Sequence, residues 1–276
     1  MQKKSGFLPI LISILKALGY FAIWYFISFG VSFLLQVILR GVYSSDGLDT
    51  FVYRINSLSY GITLVSNLVV VFIFAIYYRL RGTGLFSQAS LVKSKPAVLT
   101  SAITLGASCF FAVNYIISSL SLLLPKAWTD MLSSPPMGAF EENQIVAFLS
   151  VCLVAPICEE LVFRGLIAKT LSTTVPSWLA IGVSSLAFGI VHYSSGPIAI
   201  VYATSMGILF GWLFFRAKSL VPCVLAHALF NAASFLADRI SPSIFMIITY
   251  VSFIVIFISI FNIIKATKED KTDEDL

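Results

Sequence analysis

Charged residues are scarce in this sequence. Only 11% of its 276 residues are Asp, Glu, Lys or Arg, whereas 58% are hydrophobic. A soluble domain carries about 25% charged residues, so this composition excludes an ordinary water-soluble globular protein. The net charge of +5 comes from basic residues scattered between apolar runs. That pattern argues against nucleic acid as a partner and favours membrane lipid.

Cysteine and zinc motifs are also lacking. Four cysteines lie within apolar runs, and none of them has a Cys-x-x-Cys spacing: Cys109, Cys152, Cys158 and Cys223. The sequence therefore supports neither a disulfide framework nor a zinc ribbon, and we interpret the thiols as small buried hydrophobes. The motif His-Glu-x-x-His, which places two zinc ligands on one helix, is absent as well.

Long apolar runs, by contrast, are numerous, and about 20 residues suffice to cross a bilayer. Eight runs approach or exceed that length, at about 18–39, 60–78, 97–124, 144–164, 177–194, 197–215, 220–238 and 243–264. Lys3 and Lys4 precede the first run as in a signal peptide, but that run is too long for a cleavable one. The sequence predicts an all-α polytopic membrane protein, a bundle of about eight transmembrane helices.

The basic residues predict the orientation of this bundle. With a cytoplasmic N-terminus, thirteen Lys and Arg fall on inner segments and four on outer ones. Because positive loops stay inside, we expect both termini in the cytoplasm, and a bacterial plasma membrane suits the composition. We expect one transmembrane domain over 1–264, with polar outer connections at about 40–59 and 125–143. A disordered, charged cytoplasmic tail should follow at 265–276.

Two glycines and two glutamates stand out within the apolar runs. Gly207 and Gly211 form a Gly-x-x-x-Gly pattern, which favours close packing inside the bundle, with dimerisation as the alternative. Glu159 and Glu160 are adjacent, and ionisable groups at membrane depth usually mark a functional site. Arg164 lies four residues after Glu160, so we expect those two to pair and Glu159 to face elsewhere, where it suits a general base.

Both histidines of the chain also lie in apolar runs. His227 and Asn231 are four residues apart and share a helix face, so together they could donate two hydrogen bonds to one oxygen, as an oxyanion hole requires. His192 follows Phe188 by one helical turn. A lone buried histidine is more often structural, but two histidines, an asparagine and a glutamate pair between 144 and 238 favour a common site.

The three motifs Glu-Glu-x-x-x-Arg, Phe-x-x-x-His and His-x-x-x-Asn, in this order, resemble the CPBP family of intramembrane endopeptidases. This is the CAAX-protease and bacteriocin-processing group, also called Abi. The resemblance covers the motif-bearing core at 144–238. It implies that Glu159 activates a water molecule with help from His192, and that His227 and Asn231 stabilise the oxyanion. Glu160 and Arg164 would support the site or position the substrate.

Several alternatives stay open at this point. We favour a metal-free site, although Glu159, His192 and His227 could together bind zinc from different helices. Besides hydrolysis of a membrane-associated or lipid-tethered peptide, the same polar groups would suit a non-catalytic scaffold, a bacteriocin-immunity factor or a proton-coupled transporter. The predicted spans also put Glu159 and His192 at different depths. Either these boundaries are wrong by several residues, or the fifth helix is broken, as Ser194-Ser195-Gly196-Pro197 would permit.

Overall fold

The computed structural model describes residues 6–128, 143–237 and 239–273, which are mostly helical and contain no β-strand. The helices are α1 (Phe7–Val42), α2 (Leu48–Leu80), α3 (Leu85–Gln88), α4 (Pro96–Leu120), α5 (Gln144–Ser172), α6 (Ser177–Ile190), α7 (Pro197–Ala217), α8 (Val221–Ala237) and α9 (Pro242–Asp273). Only helices satisfy every backbone group within a single segment, so apolar runs in lipid fold this way.

Within the described ranges, six helices are long and apolar enough to cross a membrane: α1, α2, α4, α5, α7 and α9. The apolar helices α6 and α8 have 14 and 17 residues. They are therefore about 21 and 26 Å long, short of the roughly 30 Å hydrocarbon core. These eight helices correspond to the eight apolar runs of the sequence. The prediction of an all-α polytopic membrane protein is confirmed.

Helix α5 forms the centre of the bundle. All residues of Leu161–Ala168 are buried, and α5 packs against α1, α2, α6, α7 and α8. Helix α4 packs between α8 and α9. Large apolar side chains of α1 and α9 remain exposed, among them Phe26, Phe29, Phe257 and Phe261. The polar groups of α5 therefore lie inside the bundle, while α1 and α9 turn apolar faces outward.

Glycines let the helices of the motif-bearing core approach closely. A Cβ at Gly207 would lie 2.9 Å from Cβ of Ser185, and one at Gly211 would lie 2.9 Å from Cγ2 of Ile181. Both neighbours belong to α6. The interpretation of the Gly-x-x-x-Gly pattern as packing inside the bundle is confirmed.

Two predicted boundaries are wrong. The outer connection expected at 40–59 is mostly helix, because α1 continues to Val42 and α2 begins at Leu48, and the short turn is closed by an ion pair of 2.6 Å between Arg54 and Asp46. The tail expected to be disordered from 265 is helical to Asp273. Adding residues to an existing helix costs less free energy than nucleating a new one. A helix can therefore continue beyond the roughly 20 residues that cross a bilayer. The outer connection expected at 125–143 lies almost wholly outside the described residues.

Candidate active site

Helix α5 departs from regular α geometry on both sides of the glutamates. Two wide-turn π segments, Leu149–Val154 and Leu161–Ala168, flank the α-helical stretch Ala155–Glu160. In the first of them the Ala155 N–H donates to the carbonyl of Ser150, five residues back. Such segments occur frequently at functional sites, because they change which side chains share a helix face.

Glu160 and Arg164 form the buried ion pair that their spacing predicted. Arg164 Nη1 donates to Glu160 Oε1 at 2.8 Å, and the two side chains are 0% and 1% exposed. Arg164 Nη2 also donates to the carbonyl of Gly207 at 3.0 Å, which the missing Cβ there makes possible. The guanidinium carbon lies 4.7 Å from the ring centre of Phe188 and 5.8 Å from that of Phe210. Arg164 therefore ties α5 to α6 and α7.

His227 joins this pair from α8. Its Nδ1 lies 2.9 Å from Glu160 Oε1, and because the carboxylate accepts, we assign the Nδ1 proton to this bond. The ring stacks on Phe210 with centroids 5.0 Å apart and meets the ring of Phe188 edge-on. Glu160 thus fixes the orientation of the imidazole and directs Nε2 toward Glu159.

Glu159 is more exposed than Glu160 and lacks its ion pair with Arg164. Its side chain is 19% exposed and Oε2 lies 3.7 Å from Nε2 of His227, too far for a direct hydrogen bond. No bond to Arg164 occupies this carboxylate among the described contacts. Of the two adjacent glutamates, Glu159 is therefore the more accessible one.

His192 lies in a turn between two helices. Helix α6 ends at Ile190, so His192 lies in the following turn, before Gly196, whose φ of 92° precedes α7. His192 Nδ1 lies 2.8 Å from the carbonyl of Phe188 and therefore donates to it, leaving Nε2 as an acceptor. The ring of Phe188 contacts both His192 and His227. The end predicted at 194 is therefore four residues too late, which is the first of the two interpretations drawn from the sequence.

Asn231 bonds to the backbone of α5. Its Nδ2 donates to the carbonyl of Val151 at 2.8 Å. In the register of the preceding bond, the donor to this carbonyl would be the N–H of residue 156, but Pro156 has none. Asn231 takes the place of the missing donor and keeps a second Nδ2–H for another acceptor.

A zinc site built from Glu159, His192 and His227 was the alternative considered from the sequence. Within the described ranges, no group of three or more His, Cys, Asp or Glu is close enough together to hold a metal ion. Nδ1 of His227 bonds to Glu160 and Nδ1 of His192 bonds to the carbonyl of Phe188, so Nε2 is the nitrogen through which each ring could act as a ligand. The zinc site stays a prediction, and no chemical step is routed through a metal.

Sequence reasoning missed several contributors to the site. Phe210, which stacks on His227, lies in an apolar run with nothing to distinguish it from its neighbours. The bond between Glu160 and His227 joins residues 67 positions apart, so no spacing within one helix predicts it. The four cysteines are free and buried, as expected for small hydrophobes.

Comparison with known proteins agrees with the resemblance drawn from the motifs. Residues 141–233, which contain all three motifs, match the family model of the type II CAAX prenyl endopeptidase Rce1-like proteins. The resemblance drawn from the motifs is confirmed. The match covers the part of the chain that supplies Glu159, His192 and His227.

Three relatives cover different shares of the chain. An uncharacterized protein of Mycoplasma capricolum is 29% identical over 75% of this chain, and the UPF0177 protein YaiH of Lactococcus lactis is 34% identical over 32%. YdiL of Bacillus subtilis, provisionally described by its name as a membrane peptidase, is 34% identical over 29%. The matches span 62%, 35% and 32% of the lengths of these relatives. No solved structure matches the chain.

Proposed function

We propose that this protein is an intramembrane endopeptidase that hydrolyses a peptide bond in a membrane-associated or lipid-tethered substrate. The observation that carries the proposal is the contrast between two adjacent glutamates. Glu160 is sealed in the bundle and bonded to Arg164 and His227, whereas Glu159 is partly exposed and faces His227. A structural ion-pair network needs only Glu160. The partly exposed carboxylate of Glu159 suits a general base.

In the proposed reaction, Glu159 accepts a proton from a water molecule, whose oxygen attacks the scissile carbonyl carbon. His192, with Nε2 left as an acceptor, helps to orient that water. The carbonyl oxygen becomes an oxyanion that accepts hydrogen bonds from His227 Nε2 and the second Nδ2–H of Asn231. When the C–N bond breaks, the proton held by Glu159 passes to the leaving amine, which restores the carboxylate.

Donation from both nitrogens of His227 requires an imidazolium ring. Nδ1 is engaged by Glu160, so Nε2 can donate to the oxyanion only if it also carries a proton. Glu160 Oε1 accepts from both Arg164 Nη1 and His227 Nδ1. The buried pair thus serves the reaction by fixing the orientation of His227.

We propose that the site is reached from the cytoplasmic side of a bacterial plasma membrane. The relatives come from bacteria, and the basic ends of α2 and α5 and the Lys93–Lys95 segment support an inward orientation. A prenylated or otherwise lipid-tethered peptide would place its scissile bond near the bundle. Unmodified membrane peptides, including bacteriocin precursors, are the other substrates that this site would accept.

The test is hydrolysis by the purified full chain in lipid vesicles. The substrates are two sets of synthetic peptides, one ending in a prenylated Cys-aliphatic-aliphatic-x sequence and one with an unmodified membrane helix, and the products are identified by mass spectrometry. Cleavage of either set by the wild type, and its loss in Glu159→Gln, are expected. The two sets separate lipid recognition from peptide recognition.

Two outcomes would contradict the proposal. Turnover retained in Glu159→Gln would show that another group activates the water. Failure of the folded wild type to cleave any peptide of either set would favour a non-catalytic scaffold or immunity factor. If the protein is such a scaffold or immunity factor, its function in the membrane should also survive substitution of both His192 and His227.

A further inference from the structure

Two neighbouring cavities lie at one end of the bundle, away from the candidate active site. Their volumes are about 540 and 480 Å³. Both are lined by Lys16 and Tyr20 of α1 and by Gln88 of α3. They occupy the end where α2 and α5 finish, which is the end that the basic residues assign to the cytoplasm.

Cations from three parts of the chain line these cavities: Lys16 from α1, Lys169 from α5 and Arg81 from the residue after α2. No carboxylate of the described residues lines either cavity. Three positive groups without a lining acid make the cavities a favourable place for an anion.

The three cations retain capacity for a ligand. Lys169 Nζ donates to the carbonyl of Gln88 and to Ser90 Oγ at 2.6 and 2.7 Å, so one of its three N–H groups remains. The guanidinium of Arg81 lies 5.0 Å from the ring centre of Tyr77 and is exposed to solvent. Lys16 is exposed and makes no hydrogen bond or ion pair with any residue in the described ranges. Its charge has no other assigned role.

The remaining lining is amphipathic. Hydroxyl groups of Thr170 and Tyr20 supply neutral donors beside the cations. Ile12 and Ile23 of α1 line the same cavities, and their side chains are exposed on the outer apolar face of that helix. A ligand held here would meet positive charge and hydroxyls on one side and a lipid-facing apolar surface on the other.

We propose that these cavities bind the phosphate headgroup of an anionic phospholipid, with the acyl chains lying along α1. Free phosphate shares the headgroup chemistry but would make no use of Ile12 and Ile23. Basic pockets between transmembrane helices are suited to lipid headgroups for the same physical reason. This site is independent of the peptidase proposal, because none of its lining residues belongs to the three motifs.

The experiment equilibrates the purified full chain with equal amounts of phosphatidylglycerol and phosphatidylcholine and measures the retained lipids by native mass spectrometry. The wild type should retain phosphatidylglycerol preferentially. Lys16→Gln and Arg81→Gln should each lower the retention ratio about fivefold, the effect of removing one cation near an anionic lipid. Lys93→Gln is the matched control, since it removes an exposed lysine that lines neither cavity.

Three results would overturn the assignment. Equal retention of the two lipids in the wild type would show that the headgroup charge is not recognised. A loss in Lys93→Gln as large as that in Lys16→Gln would show diffuse attraction to a basic surface. Displacement of phosphatidylglycerol by millimolar inorganic phosphate would identify a free-phosphate site. Each variant should have the melting temperature of the wild type. A lower retention ratio then results from weaker lipid binding and not from unfolding.

Discussion

At the scale of single residues, burial gives two identical side chains different roles. Glu160 bonds to Arg164 and His227 and is fully buried, whereas Glu159, one position earlier, is 19% exposed, with Oε2 3.7 Å from Nε2 of His227. Substitution by glutamine should therefore mainly lower stability at Glu160 and mainly lower the rate of hydrolysis at Glu159.

The first prediction concerns the stability of the two glutamine variants. Glu160→Gln leaves Arg164 buried without its counter-charge, which should cost ~3–5 kcal/mol of the free energy of unfolding. Glu159→Gln removes a partly exposed carboxylate that no arginine pairs with, so the change should stay within about 1 kcal/mol. Unfolding by SDS titration in mixed micelles measures both. Equal losses in the two variants would contradict the assigned contacts.

Local spacing predicts only part of the residue-scale picture. The pairing of Glu160 with Arg164 follows from one helical turn, and the shared face of His227 and Asn231 follows from another. The bond from His227 to Glu160 and that from Asn231 to Val151 cross between helices and were not predicted. Such contacts depend on how the helices are packed, which spacing along one helix does not encode.

At the scale of helices, a missing donor in α5 is compensated from α8. Pro156 cannot donate to the carbonyl of Val151, and Asn231 donates to it instead. The helix continues through Pro156, preceded by the π segment Leu149–Val154, and is not broken there. This segment therefore determines where the amide of Asn231 lies.

The second prediction is that Pro156→Ala slows cleavage. The new N–H competes for the Val151 carbonyl and releases Asn231, so the rate should fall toward the ~10²-fold loss expected when an oxyanion donor is removed. The measurement is kcat on a cleaved peptide. In an Asn231→Ala background the same substitution should have no further effect. Additive losses would contradict the coupling of Pro156 to Asn231.

The third prediction concerns helix packing. Gly207→Ala forces a Cβ against Ser185 and within 3.1 Å of Arg164 Nη2, which should cost ~1–3 kcal/mol of the unfolding free energy. Gly182→Ala, in α6, is the control, because its Cβ would meet nothing within 4 Å and alanine favours helix by up to about 1 kcal/mol. SDS titration compares the two variants. A stabilised Gly207→Ala variant would contradict the packing.

Helix existence was predictable in this chain, but several helix ends were not. The fifth run was predicted to end at 194, but α6 ends at Ile190. The first and last runs were predicted to end at 39 and 264, but α1 and α9 continue to Val42 and Asp273. A helix can continue past the membrane surface, so the apolar run and the helix need not end at the same residue.

At the scale of the whole molecule, the eight apolar helices would place both ends of the chain on the same side if each crosses the bilayer. The basic residues assign that side to the cytoplasm, which predicts that the turn after α1 faces outward and the segment before α4 faces inward.

The fourth prediction tests this orientation by cysteine labelling. The native thiols are buried, so a cysteine introduced at an exposed position is read against a low background. Ser45→Cys, in the turn between α1 and α2, should react with an impermeant maleimide in intact cells. Lys93→Cys should react only after the membrane is permeabilised. The reverse pattern would place the candidate site on the outer side.

The number of apolar helices and the location of the motifs could be predicted from the sequence because hydrophobic length and charge are properties of single segments. The central position of α5 and the turn that holds His192 could not, because they result from contacts among several helices.

The central claim is that the carboxylate of Glu159 activates the attacking water. The most direct measurement is single-turnover hydrolysis of a cleaved peptide by purified wild type and Glu159→Gln in the same vesicles. Because the amide cannot accept the proton, we predict a loss of at least ~10²-fold, with an unfolding free energy within about 1 kcal/mol of the wild type. Hydrolysis at the wild-type rate by the folded variant would contradict the account.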